Sequence, residues 1–167
     1  MHKPNQHTIQ EKLILSKDIH GYLDSLKKQN ISIGFTNGCF DILHIGHIEY
    51  LAKAADLCDF LIVGLNSDES VKNLKGNTRP INNYESRSKL LASLFYIDAV
   101  IEFKEETPIE LIKSILPNLL IKGGDYKKEE IIGYDIVKAN GGQTITIDLV
   151  PGYSTSNIEK QIRENRS

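Results

Sequence analysis

The strongest constraint on how this chain folds is an alternation between two kinds of segment. Short, continuous apolar runs rich in β-branched residues occur at residues 31–35, 60–65, 99–103, 118–121 and 144–149. Runs that are apolar throughout, rather than at every second position, belong to a sheet covered on both faces. Between them lie segments with helical spacing, such as Ile48, Leu51, Ala52 and Ala55, and the stretch 84–94. Residues 13–30, with Leu23 and Leu26 on one face, read as a leading helix. Two helix starts carry capping patterns. In Thr107-Pro108-Ile109-Glu110, a capping Thr precedes Pro at the first helical position, with Glu placed to close a capping box. Ser156-Asn157-Ile158-Glu159 repeats the box at the last helix. Strands alternating with helices predict the α/β class: a Rossmann-like parallel sheet of about five strands, helices on both faces and right-handed crossovers. The pattern is that of a single domain over 1–167, with 1–30 as an N-terminal extension and leading helix.

Lys and Arg number 20 against 22 Asp and Glu, a net charge of −2. Sequence-independent nucleic-acid binding needs a basic excess, so no nucleic-acid partner is expected. The two cysteines, Cys39 and Cys58, sit in apolar surroundings and read as buried thiols; no Cys/His spacing suggests zinc. Residues 1–10 are polar and lack a signal-peptide core, and no apolar run reaches membrane-spanning length. A cytoplasmic protein without a membrane partner is the expectation.

In a sheet of this kind ligands bind beyond the carboxyl ends of the strands. The first long run leads into Asn37-Gly38-Cys39-Phe40-Asp41, followed by Ile42-Leu43-His44-Ile45-Gly46-His47. Gly38 permits a turn, and Gly46 lets a phosphate or base approach the backbone. His44 and His47 are spaced to share one side of a helix start, where free amides and the helix dipole favour anions. Taken alone, such a pair is equally readable as a cap with a surface histidine, or as two metal ligands awaiting a third.

The longer string Gly38-Cys39-Phe40-Asp41-Ile42-Leu43-His44-Ile45-Gly46-His47 resembles the G-x-F-D-x-x-H-x-G-H signature of the cytidylyltransferase-like nucleotidyltransferases. Gly152-Tyr153-Ser154-Thr155-Ser156-Asn157-Ile158 resembles that family's G-x-S-T-[ST]-x-I element, and Lys122-Gly123-Gly124-Asp125-Tyr126 its G-G-D element. The resemblance implies that His44 and His47 are catalytic, binding the nucleotide phosphates and stabilising the pentacoordinate α-phosphorus, with Lys75 beside them. It places Thr36, Asn37, Gly38, Cys39, Phe40, Asp41, Gly46 and Asn66 at the nucleotide. Gly123, Gly124, Asp125, Tyr153, Ser154, Thr155 and Ser156 would join them. Asp41 and Asp125 would contact Mg²⁺, the expected cofactor of an ATP-using enzyme. Lys75, Arg79 and Arg87 belong to a partly basic stretch expected to reach over a triphosphate and neutralise its charge. Lys53 could also reach a phosphate.

Nearly the whole chain resembles the adenylyltransferase domain of bacterial ADP-heptose synthases, including Leu74-Lys75-Gly76-Asn77-Thr78-Arg79-Pro80 and Ala139-Asn140-Gly141-Gly142. That resemblance implies transfer of AMP from ATP to D-glycero-β-D-manno-heptose 1-phosphate, releasing pyrophosphate and giving ADP-heptose for lipopolysaccharide core synthesis. It also implies a separate sugar kinase upstream and a homodimer. Glycerol-3-phosphate cytidylyltransferases, a neighbouring branch, carry Arg in an R-T-x-G string where this chain has Leu149-Val150-Pro151-Gly152. Class I aminoacyl-tRNA synthetases share the letters H-I-G-H, but their lysine-rich second loop is missing here. A catalytically silent nucleotide sensor is the non-enzymatic alternative.

Overall fold

In the computed structural model, residues 5–164 are described; the first four residues of the polar N-terminal stretch lie outside them. After helix α1 (Asn5–Glu11), a two-residue strand that periodicity does not announce, β1 (Leu13–Ile14), opens the sheet. The leading helix expected over 13–30 is therefore shorter: a 3-10 turn (Ser16–Asp18) leads into α2 (Ile19–Lys28). Leu13 and Ile14 pair with Val100 and Ile101, and the Val100 amide donates to the Lys12 carbonyl at 2.8 Å. Those bonds cover an edge that would otherwise stay open. Two residues are too few to display an alternating pattern.

The five apolar runs each form a strand: β2 (Ile33–Gly38), β3 (Phe60–Asn66), β4 (Ala99–Phe103), β5 (Leu119–Gly123) and β6 (Gln143–Ile147). All pairings are parallel, and the sheet has six strands in the order β1-β4-β3-β2-β5-β6. Side-chain alternation sends Ile62 to one core and Leu61 and Val63 to the other. α2, α6 (Ile109–Ile115) and α7 (Tyr134–Ala139) cover the first face through Leu23, Ile112 and Val137. On the second, α3 (Ile45–Ala55) and α5 (Tyr84–Ala92) contribute Leu51, Ala54 and Leu91. α4 (Asp68–Lys75) follows β3, and α8 (Thr155–Glu164) closes the described chain.

The caps differ from expectation. Pro108 itself is the N-cap of α6 and no side chain caps it, so Thr107 stands one residue too early. At α8 the Asn157 amide donates to Ser154 Oγ at 3.1 Å, which puts the cap at Ser154 and leaves Ser156 inside the helix. Both thiols are half-buried rather than buried; Cys58 Sγ rests on Gly34, where an added Cβ would lie 2.5 Å from it. Among the described residues no helix is long and apolar enough to cross a membrane. From β2 the chain winds outward through β3 and β4, then returns to place β5 on the other side of β2. The crevice between β2 and β5 is thus a topological switch point, the position where α/β sheets bind ligands.

Candidate active site

β2 delivers its carboxyl end to that crevice and then turns sharply. Phe40 adopts a left-handed φ of 44°, and its ring folds back on Gly38, where a Cβ would come within 3.0 Å of it. The same ring stands edge-on to His47 at 5.1 Å. Asp41 follows, 1% exposed, with its carboxylate enclosed by donors. The Ile81 and Asn82 amides reach Oδ1 at 2.8 and 2.9 Å, and Arg79 Nη1 donates to Oδ2. Asn82 Nδ2 also caps the Asp41 carbonyl at 2.7 Å. Burial pushes the Asp41 pKa up, but the two amides and the guanidinium outweigh it and hold the carboxyl below its ordinary range. Arg79 pairs in turn with Glu159 on α8.

These contacts change two expectations. Asp41 latches the 76–83 loop to the β2 turn and has little lone-pair capacity left for a metal. Asp125 is exposed on the loop after β5, and among the described residues no three His, Cys, Asp or Glu side chains form a metal-sized cluster. The residues present do not fit a resident Mg²⁺ site; an ion carried on the triphosphate needs none, since Mg²⁺ binds substrate phosphates and water readily. Arg87 likewise does not reach over a ligand. It lies on α5, is 0% exposed, and bonds the Cys39 carbonyl (2.7 Å), the Asn82 carbonyl (2.9 Å) and Asp68 Oδ1 (2.7 Å). It supports the turn from below.

His44 is the N-cap of α3, with extended backbone (φ −141°, ψ 170°), and its carbonyl accepts from the His47 and Ile48 amides at 2.9 and 3.1 Å. That cap sets the two imidazoles face to face, centroids 3.8 Å apart and 23° from parallel. Both Nδ1 atoms are buried without a partner. Burial lowers the His44 pKa; burial, His44 and Lys75 together bring His47 down to about 4. The Ile42 backbone pulls the other way without outweighing them, so both imidazoles are neutral at neutral pH, and His47 lines the groove in which a phosphate would accept its hydrogen bond. Gly46 brings the second motif alongside: a Cβ there would lie 3.1 Å from the His44 ring and 3.2 Å from Tyr153 Cβ. Only glycine lets the loop that precedes α8 settle on the histidines without displacement.

A groove of about 200 Å³ joins these parts, lined by His47, Lys75, Lys122, Gly123 and Thr155 among others. Lys75 is the last residue of α4 and lines the groove. Thr36 is fully buried beneath, its hydroxyl 2.6 Å from Tyr50 Oη, so it braces β2 against α3 rather than facing a ligand. Asn66 is also buried, donating to Ser70 Oγ at 2.9 Å. Gly123 clears Leu149, whose Cδ2 would lie 2.8 Å from a Cβ, and Gly124 has a φ of 116° that favours glycine. Lys53 is exposed on α3. Lys122 is the residue whose place the motif reading missed. Half-buried at the end of β5, it donates to Asn37 Oδ1 at 3.3 Å, and burial lowers its pKa. Its position just before Gly123 at a strand's carboxyl end was the available signal.

The cytidylyltransferase-like family model matches residues 35–165. The chain belongs to that family. The cytidylyltransferase-like match takes in most of β2 with its turn, both histidines, Lys122 and the Ser154–Thr155–Ser156 element, and the chain is a nucleotidyltransferase. A protein of Rhodopseudomonas palustris (strain BisB5) named "Bifunctional protein HldE" is 47% identical over 93% of this chain and 32% of its own length. Its namesake from Helicobacter hepaticus is 48% identical over 96% of this chain and again 32% of its own. The chain thus spans about a third of these relatives. Among solved structures, a lipopolysaccharide core biosynthesis protein from Thermoplasma volcanium superposes with TM-score 0.60 at 24% identity, over 72% of this chain and 97% of that one. A pantoate-beta-alanine ligase from Francisella tularensis gives TM-score 0.60 at 18% identity, covering 93% and 78%. Both likenesses establish the fold alone.

Proposed function

We propose that this chain transfers AMP from ATP to a sugar 1-phosphate, D-glycero-β-D-manno-heptose 1-phosphate being the acceptor its relatives suggest. The observation that carries the reading is the neutral, stacked His44–His47 pair, set at the β2/β5 switch point beneath the start of α8. An oxygen of the acceptor's phosphate attacks the α-phosphorus; the bond from that phosphorus to the bridging oxygen of the β-phosphate breaks, and pyrophosphate leaves. Positioning and charge stabilisation do most of the work in such transfers, so no covalent intermediate on the protein is needed. The histidines hydrogen-bond the α-phosphoryl oxygens as charge builds there, and Lys75 lies across the groove to balance it. Ser154 and Thr155 at the start of α8 hold the departing pyrophosphate. ATP enters as its magnesium complex, the ion being part of the substrate.

The names of the relatives support the acceptor class. The two HldE proteins are bifunctional, and this chain aligns with about a third of each. A kinase would supply the sugar 1-phosphate, and the product would feed lipopolysaccharide core assembly. The test is pyrophosphate release from a matrix of ATP and CTP against heptose 1-phosphate anomers and glycerol 3-phosphate. Turnover is expected with ATP and a heptose 1-phosphate. Preference for CTP or for glycerol 3-phosphate would overturn the substrate assignment, and nucleotide binding without turnover would favour a sensor.

A further inference from the structure

The groove under α8 occupies only one side of the β2 turn. Beyond the carboxyl ends of β3, β4 and β5 lies a second cavity of about 320 Å³. The two have Asn37, Gly38, Cys39 and Lys122 in common, so they meet at one wall. Neither histidine, nor Lys75, nor any part of α8 lines the second cavity. Its inner end is polar, formed by buried Asn66 and half-buried Lys122. Its mouth gathers three large apolar side chains left in water: Leu74 (53% exposed), Tyr126 (51%) and Ile132 (46%). The carboxylates of Glu106 and Glu130 stand among them.

In-line displacement requires the nucleophile to approach the α-phosphorus from the side opposite the leaving pyrophosphate. With pyrophosphate held at α8 as proposed above, the cavity that no part of α8 lines is the one left for the incoming nucleophile. The lining also suits a particular guest. An apolar, partly aromatic mouth covers the C–H face of a sugar ring, carboxylates accept from its hydroxyls, and a cation at the shared wall meets its phosphate. We propose that the second cavity seats the phosphorylated sugar, ring at Tyr126 and Leu74, phosphate at Lys122. This placement rests on the sugar-phosphate reading above. It makes the segment after β5 and the end of α4 the parts that select the acceptor.

The chain contains no tryptophan, so Tyr126→Trp installs a single indole at the mouth. A non-hydrolysable ATP analogue at saturation is expected to leave its emission unchanged, and heptose 1-phosphate added next is expected to shift it. A second variant, Leu74→Trp, narrows the same mouth. It is expected to raise KM for the sugar phosphate about tenfold while leaving KM for ATP within about twofold. Emission that answers to the ATP analogue, or to neither compound, overturns the seat, as does a Leu74→Trp effect confined to ATP. The two readings fail separately. An indole that reports sugar phosphate in a protein releasing no pyrophosphate keeps the seat and sinks the transferase assignment; turnover with an indole that reports only nucleotide does the reverse.

Discussion

Burial makes a proton on His47 costly, and an imidazole with its centroid 3.8 Å away adds repulsion to that cost. Hence His47, with a pKa near 4, meets its substrate uncharged at neutral pH. His47→Ala is expected to lower kcat about 10²- to 10³-fold with little change in KM for ATP, because the bond it removes strengthens as the transition state forms. Steady-state kinetics at saturating ATP and sugar phosphate check this. The same burial predicts a stability effect. Between the ordinary histidine value of 6.5 and about 4, the unfolded chain takes up a proton that the folded site refuses. Stability therefore falls as pH drops through that window, and His47→Gln removes this contribution to the slope; urea midpoints measured from pH 7 to pH 4 read it directly. The histidine pair was legible in the sequence, because its spacing and strand-end context are local. The work of Asp41 and Arg87 was not. A charged side chain reads as a surface group, and what buries these two arrives from distant positions: Ile81, Asn82 and Arg79 around Asp41, Cys39, Asp68 and Asn82 around Arg87.

Helix α8 supplies one wall of the groove, yet none of its described residues is buried. Its visible anchorage includes the chain Glu159–Arg79–Asp41, which ties it to the loop latched on the β2 turn. Glu159→Gln removes the charge from that chain. The expected outcome is faster amide hydrogen exchange confined to α8, together with a raised KM for ATP and unchanged protection in β2 to β5. Loss of protection across the sheet would show instead that Glu159 supports the whole fold. At this scale the sequence pattern succeeded where elements are long. All five apolar runs became strands, and α3 and α5 lie where spacing put them. It failed where an element exists through its partner. β1 is a strand because β4 offers an open edge, and Leu13 and Ile14 otherwise fit the helical periodicity that follows them. Caps failed for a related reason, since an offset of one residue at Pro108 or two at Ser154 changes which side chain can reach an amide.

Taken whole, the molecule depends on close approaches between turns and strands as well as on its two cores. At Gly142, between α7 and β6, an added Cβ would lie 2.8 Å from the Pro117 carbonyl oxygen and 2.9 Å from that of Asn118. Both are backbone atoms and cannot swing aside. Gly142→Ala is expected to destabilise the fold by about 1–3 kcal/mol, which a thermal melt would show as a Tm lowered by roughly 2–4 °C per kcal/mol. The order β1-β4-β3-β2-β5-β6 has a further consequence. Because winding reverses at β2, the histidines, Lys75 and α8 gather at one groove, while the segments that follow β4 and β5 line the other cavity. Insertions or exchanges in the second set can remodel what the protein accepts without disturbing the machinery that handles phosphates. A lineage built on this sheet can therefore change its customers while inheriting its chemistry intact.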